Sequence, residues 1–200
     1  DERQAGGKYG EGLEGRIPPN QAVTRKFPVM TAGKTPDIDT AAWSFSIKSG
    51  PRTLASWNWV EFNALPQTRW RGDIHCVTRW SKFDTDWQGV TIDDLLASAG
   101  IEPPSPHTLF HGYEGYSTNL LLSDITDGKA MIATRFDDQP LTREHGGPAR
   151  LLVPHLYFWK SAKWVKAMQF TQKEESGFWE LRGYHMYGDP FREQDRKSVV

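Results

Sequence analysis

The clearest regularity along the chain is alternation. Trp43, Phe45 and Ile47 take every second position of WSFSIKSG, and Gly50-Pro51 closes the run. A two-residue period puts one face of a strand against a core. WRGDIHCVTRW (70–80), KAMIATRFD (129–137) and ARLLVPHLY (149–157) are apolar and predict further strands. HTLFHGYEGYSTNLLL (107–122) predicts a strand and a loop, and TRKFPVMTAGKTPDID (24–39), broken by Pro28, Gly33 and Pro36, predicts a loop. Two helices are expected. One is short, capped by Ser56 and stopped by Pro66; the other is TIDDLLASAG, with Thr91 as N-cap, Asp93 and Asp94 in the first turn and Gly100 after the last. Residues 1–22 are rich in glycine and charge and predict an extended N-terminal arm, which leaves 23–200 as the domain. Short strands outnumber helices and no repeat appears. The expected class is α+β, a mixed, β-rich single domain with short helices.

Composition narrows the function classes. A chain of 200 residues suits one domain with a sizeable core. A net charge of −1 argues against a nucleic-acid partner. No apolar run approaches the roughly 18–20 residues of a membrane helix, so no transmembrane segment is expected. Nine tryptophans and ten phenylalanines are material for a core and for the walls of a pocket around a flat ligand. A single cysteine rules out a disulfide scaffold.

That cysteine, Cys76, lies in a predicted strand beside His75. Packing alone can account for it, since free cysteine is among the most buried residue types. A nucleophilic thiol wants a base beside it, but adjacent strand residues point to opposite faces, which weakens a His75–Cys76 pair. A structural zinc site needs four ligands in paired elements, and the chain has none. What remains besides packing is a thiolate on a soft metal whose other ligands come from a cofactor. A second stretch, 141–170, carries Arg143, His145, Arg150, Lys160, Lys163 and Lys166 together with Gly146-Gly147. Guanidinium, ammonium and bare backbone N–H groups together form an anion cradle. The three lysines are spaced to meet on one side of a turn, although a solvated basic face has the same charge pattern. A third stretch, 111–122, with His111, Glu114, Tyr116 and Ser117, is either a pocket edge or a surface loop.

Three segments in order carry a resemblance. DIHCVTRWS (73–81) resembles the molybdenum-binding cysteine segment of the sulfite oxidase superfamily. PLTREHGGPARLLVPHLYFWKSAKWV (140–165) resembles its His/Asn-Gly-x-Pro-x-Arg run and the lysine-bearing turn that follows. GFWELRGYHMYGDPF (177–191) resembles the short bacterial sulfite-oxidase-like proteins related to the molybdenum subunit of methionine sulfoxide reductase. The likeness spans 22–192. It implies a sulfite-oxidase-type molybdopterin-binding fold and a molybdenum-molybdopterin cofactor, with Cys76 as the one protein ligand to the metal. Carried over by position, it implies cofactor contacts from His145, Arg150, Lys160, Ser161, Ala162 and Lys163. More loosely, it adds Phe27, Met30 and Thr31 of the FPVMT loop, and His111 with Gly112.

The sequence departs from the family in two places. The active-site tyrosine position, aligned without gaps on Ser117, is Glu114, with Tyr116 two residues away to replace it; the arginine-rich stretch after the cysteine is reduced to Arg79. The expectation is therefore two-electron oxygen-atom transfer on a small substrate, with an S-oxide or N-oxide favoured over sulfite. Cys76, Glu114 and Tyr116 are the catalytic candidates. A separate electron-transfer protein is expected, because no haem-attachment signal is present. Two other readings compete: a catalytically degenerate molybdopterin-binding protein, and a tryptophan-rich ligand-binding module. The expected compartment is the cytoplasm, or the periplasm if a leader has been removed.

Overall fold

Two mixed sheets divide the strands, and the edge of one of them carries Cys76. In the computed structural model, residues 3, 4 and 15–200 are described, so most of the predicted arm lies outside the described residues. The strands are β1 (Arg3–Gln4), β2 (Ala22–Thr24), β3 (Ser44–Ser49), β4 (Arg52–Asn58), β5 (Thr68–Cys76), β6 (Trp80–Thr91), β7 (His107–Gly112), β8 (Ser117–Leu121), β9 (Met131–Phe136), β10 (Gln139–Pro140), β11 (Arg150–Leu152) and β12 (Val165–Thr171). The helices are α1 (Trp59–Asn63), α2 (Ile92–Ala99) and α3 (Leu122–Ile125). One sheet runs β1-β2-β6-β9-β10, with β5 also on β6 and β11 also on β9; the other runs β4-β3-β12-β7-β8. Two pairs are parallel, β2 with β6 and β12 with β3, and the rest are antiparallel. No helix of the described residues is long and apolar enough to cross a membrane.

The expected α+β class holds, with local corrections. Thr91 caps α2, accepting from the backbone N–H of Asp94, and Gly100 ends it in a left-handed conformation, as its pattern predicts. The short helix starts later than expected. Asn58 caps it, accepting from Glu61 N at 2.9 Å, because Ser56 is taken into β4 opposite Ser46. Residues 107–122 form a hairpin rather than a strand and a loop: Glu114 (φ 62°) and Gly115 (φ 77°) turn the chain left-handed and β8 returns along β7. Sequence reading found neither β12, hidden in the lysine-rich segment, nor the full length of β6.

Along β9 the seven-stranded sheet is buried on both faces. On β9, Ile132 joins the main core with Phe45, Ile47, Val90 and Phe110, while Met131 and Ala133 face a second cluster around Cys76, Trp80, Trp87 and Phe158. Burial on both sides is why this strand reads as a continuous apolar run. The strands pack so closely that Gly89 on β6 leaves no room: a Cβ there would lie 2.1 Å from Ile132 O, opposite the β6–β9 bulge. Gly89→Ala should therefore cost about 1–3 kcal/mol of overpacking strain, read as a lower urea midpoint with an unchanged m-value. An unchanged midpoint would contradict this packing.

Candidate active site

Cys76 ends β5, and the tight turn 77–79, closed by Arg79 N–H on Cys76 O at 3.0 Å, carries the chain back into β6. Strand alternation separates Cys76 from its neighbour. His75 points away into a pocket of its own, with Nδ1 2.7 Å from Ser81 Oγ, and burial pushes its pKa down to about 4, so the ring is neutral. The Cys76 sulfur faces a cavity of about 280 Å³. It accepts a hydrogen bond from Thr78 Oγ1 at 3.0 Å. Burial raises the thiol pKa; the Thr78 contact and the charge of Arg150 oppose that rise. Among the described residues no group of three or more His, Cys, Asp or Glu side chains is placed to hold a metal, so this one thiol is what the chain itself offers.

Two cations line the same cavity. Arg150, on β11, is 1 % exposed. Its guanidinium donates to His145 O at 2.9 Å and Ser161 O at 2.7 Å and lies 4.1 Å over the Phe158 ring. Burial pushes its pKa down to about 9, which leaves it charged at neutral pH. Lys163 Nζ donates to Met30 O at 2.7 Å and Glu144 O at 2.6 Å, and burial followed by the charge of Arg150 pushes it down to about 7. Among the described residues neither cation is paired with a carboxylate. Gly146 (φ 102°) makes their approach feasible, because a Cβ there would sit 3.0 Å from Arg150 Cβ and 3.1 Å from Lys163 Cβ.

Aromatic rings complete the cavity. Phe27 lies in the loop before β3, Trp80 opens β6, Phe158, Trp159 and Trp164 come from the chain between β11 and β12, and Tyr116, Trp179 and Tyr184 complete the lining. Trp179 and Tyr184 stack at 4.9 Å, and Trp159 meets Tyr184 edge-on at 4.9 Å.

The structure thus brings together eight residues singled out from sequence: Phe27, Met30, Thr31, Cys76, Tyr116, Arg150, Ser161 and Lys163 all line the cavity. Six others do not. Glu114 sits on the exposed left-handed turn of the β7–β8 hairpin, so a carboxylate beside the cysteine is corrected. Lys160 is wholly buried behind the cavity, donating to Asn119 O, Asn119 Oδ1 and Met186 O. Ala162 packs in the core and gives its carbonyl to Leu151 N. His111 pairs with Gln169 on β12, and Gly112 is buried against Lys163 O. His145 backs the wall instead of forming it: its ring stacks on Phe27 at 3.8 Å, and its buried Nδ1 has no partner. Tyr116 faces the cavity, but its hydroxyl is committed to Trp159 O at 2.5 Å.

Sequence reading missed Thr78, Trp159, Trp179 and Tyr184. Among the described residues the hydroxyl of Tyr184 has no hydrogen-bond partner, and burial raises its pKa, so it stands in the cavity as a protonated phenol. All four sit inside the segments quoted for the family resemblance: Thr78 in the first, Trp159 in the second, Trp179 and Tyr184 in the third; the one available signal was that likeness, read residue by residue.

A molybdopterin fits this cavity. A buried guanidinium and a half-buried ammonium, neither paired with a carboxylate among the described residues, suit an anionic, phosphate-bearing group, flat walls suit a pterin, and a lone thiol suits a metal whose other ligands arrive with the cofactor. The comparisons agree. Residues 32–179 match the oxidoreductase molybdopterin binding domain family. An uncharacterized oxidoreductase of Bacillus subtilis, YuiH, is 42 % identical over 184 residues, 90 % of this chain and 91 % of that protein. A putative protein-methionine-sulfoxide reductase subunit of Azospira oryzae, YedZ1, is 25 % identical over 175 residues, 86 % of this chain and 66 % of that one. The sulfane dehydrogenase SoxCD from Paracoccus pantotrophus shares the fold, with a TM-score of 0.62 at 19 % identity over 70 % of this chain and 40 % of its own. The chain belongs to the oxidoreductase molybdopterin binding domain family and is a molybdenum-cofactor oxidoreductase of the sulfite oxidase superfamily.

Proposed function

We propose that this protein binds molybdenum-molybdopterin, with Cys76 on the metal, and reduces a small neutral S-oxide or N-oxide using electrons from a separate protein. The observation that carries this reading is the division of the cavity. Among the described lining residues the cationic side chains are Arg150 and Lys163, which meet beside Gly146, and half of the rest are aromatic. The cofactor's phosphate and pterin claim both cations. Sulfite, a small anion, would need several more to offset its desolvation, and Arg79, the arginine nearest in sequence, is exposed outside the cavity. A relative named as a subunit of a methionine-sulfoxide reductase supports the same direction.

Bound here, the cofactor supplies two-electron redox chemistry and transfer of an oxygen atom. The chain's own residues do the rest. Arg150 and Lys163 hold the anionic end. Thr78 donates to the Cys76 sulfur and keeps it oriented. Trp159, Trp179 and Phe158 exclude water and pack the apolar body of the substrate. Tyr184 presents its phenol proton to the substrate oxygen as its bond to sulfur or nitrogen weakens. The degenerate-binder reading drew on a glutamate at the reactive centre. With Glu114 on the surface and a phenol in the cavity, that support is gone, and family membership sets aside the tryptophan-rich module.

The function is tested in a dye-coupled assay on protein made in a host with an intact molybdopterin pathway. Turnover of methyl sulfoxides or N-oxides should exceed sulfite oxidation in kcat/KM; the reverse order would overturn the reading. Cys76→Ser should lower turnover at least about 100-fold, roughly 3 kcal/mol of barrier. It should shift the optical spectrum of the metal and keep most of the pterin, whose anchors lie elsewhere. Equal activity would remove Cys76 from the chemistry.

Lys163 makes cofactor loading depend on pH. It titrates near 7 in the cofactor-free protein, and an anion beside it favours the ammonium form and raises that pKa. Below pH 7 the lysine is charged before and after binding, and affinity is flat. Above it, binding must take up a proton, so affinity falls as pH rises, by up to about tenfold per unit. Reconstitution of apo-protein at pH 6.5 and 8.5 measures the slope, which Lys163→Met should flatten.

A further inference from the structure

Behind the aromatic wall lies a charge pair that the proposed chemistry does not use. Lys160 and Glu180 are both fully buried, with Nζ and Oε2 3.7 Å apart. Each ties together segments distant in sequence. Glu180 Oε2 accepts from the Trp159 indole N–H at 2.7 Å and from Thr118 Oγ1 at 3.4 Å, and its Oε1 accepts from Gly177 N–H at 3.0 Å. Lys160 Nζ reaches Asn119 on β8 and Met186 O on the C-terminal segment. On the C-terminal segment the pinned positions, Glu180 and Met186, lie on either side of Tyr184, and Trp179 directly precedes Glu180. Trp159 is held twice, its indole by Glu180 and its carbonyl by the Tyr116 hydroxyl, and its ring abuts Tyr184.

We propose that Glu180 is a positioning residue: its carboxylate fixes the Trp159 indole, and through it the Tyr184 phenol, while Lys160 supplies the charge that lets a carboxylate reside there. The proposal rests on the cavity being where substrate reacts. A purely structural ion pair would behave differently. Buried pairs are commonly replaced by apolar residues of similar volume at little cost in stability, provided both partners change together. Glu180, however, is also the acceptor for the donor on the cavity wall. Replacing the pair with apolar groups would restore charge balance and lose that acceptor.

Two charge-balanced double variants separate these roles. K160M/E180Q keeps an acceptor for the indole, and K160M/E180L removes it. Both should fold and hold molybdenum at the wild-type level. Both lack the Lys160 contact to Met186 O, so they are compared with each other, and K160M/E180Q should keep kcat at least about tenfold above that of K160M/E180L. K160M/E180L should lose about tenfold or more in kcat, since displacing a positioning group by about 1 Å can cost a hundredfold, and its near-UV circular dichroism should change in the tryptophan region in the cofactor-free protein. Equal kcat and equal dichroism in the two variants would overturn the proposal. If neither double variant folds, Trp159→Phe removes the donor together with part of the ring and leaves the pair intact; unchanged kcat there would overturn it equally. Absence of S-oxide or N-oxide turnover by the wild-type protein would sink the proposed function alone, and the dichroism comparison would still decide the role of Glu180.

Discussion

Burying a cation is costly unless something meets its charge, and Arg150 is buried on β11 among carbonyl oxygens and the rings of Phe158 and Trp87, with no carboxylate partner among the described residues. Much of the site is arranged around that debt. His145 and Ser161 turn their carbonyls toward the guanidinium, so the loop before β11 and the turn after it converge there. The left-handed Gly146 lets Lys163 come alongside, which adds to the positive potential instead of relieving it. A cavity built this way is incomplete without an anion.

The fold supplies the rigidity such a site needs. β6 and β9 lie in the interior of the larger sheet, clamped between two apolar clusters, so the Cys76 turn and the Arg150 strand are held on paired strands. The remaining walls come from irregular chain: the loop 27–32, the turn 158–164 and the segment around 179–184. Cys76, Arg150 and Trp80 thus sit on strands, and Lys163 and most of the other aromatic groups on connections, where Trp159 is held from behind by Glu180.

Strands with a two-residue period and a capped helix were legible locally, because burial alternates and caps use fixed residue types. Cys76 was legible as a cofactor ligand only once the family likeness was added, since packing explains a lone cysteine equally well. Glu114 was misplaced because a gap-free alignment cannot register a left-handed hairpin turn. The lysine ladder failed for a related reason. The 3-10 turn stops at Lys160 and the chain then extends, so equal spacing sends three lysines three ways: Lys160 into the interior, Lys163 to the cavity and Lys166 outward over Tyr113. Tyr184 arrives from more than a hundred residues beyond Cys76, on a segment with no period to read.

Lys163 spends two of its three ammonium protons on carbonyls, one of them Met30 O in the loop at the cavity entrance. The third remains for an anion inside. On the proposed function, the same ammonium would hold both the bound anion and the loop at Met30, and an anion that strengthens its hold on the proton would also tighten its hold on that loop. Release would then loosen both contacts together, which would make residence time a matter of proton occupancy as much as of fit.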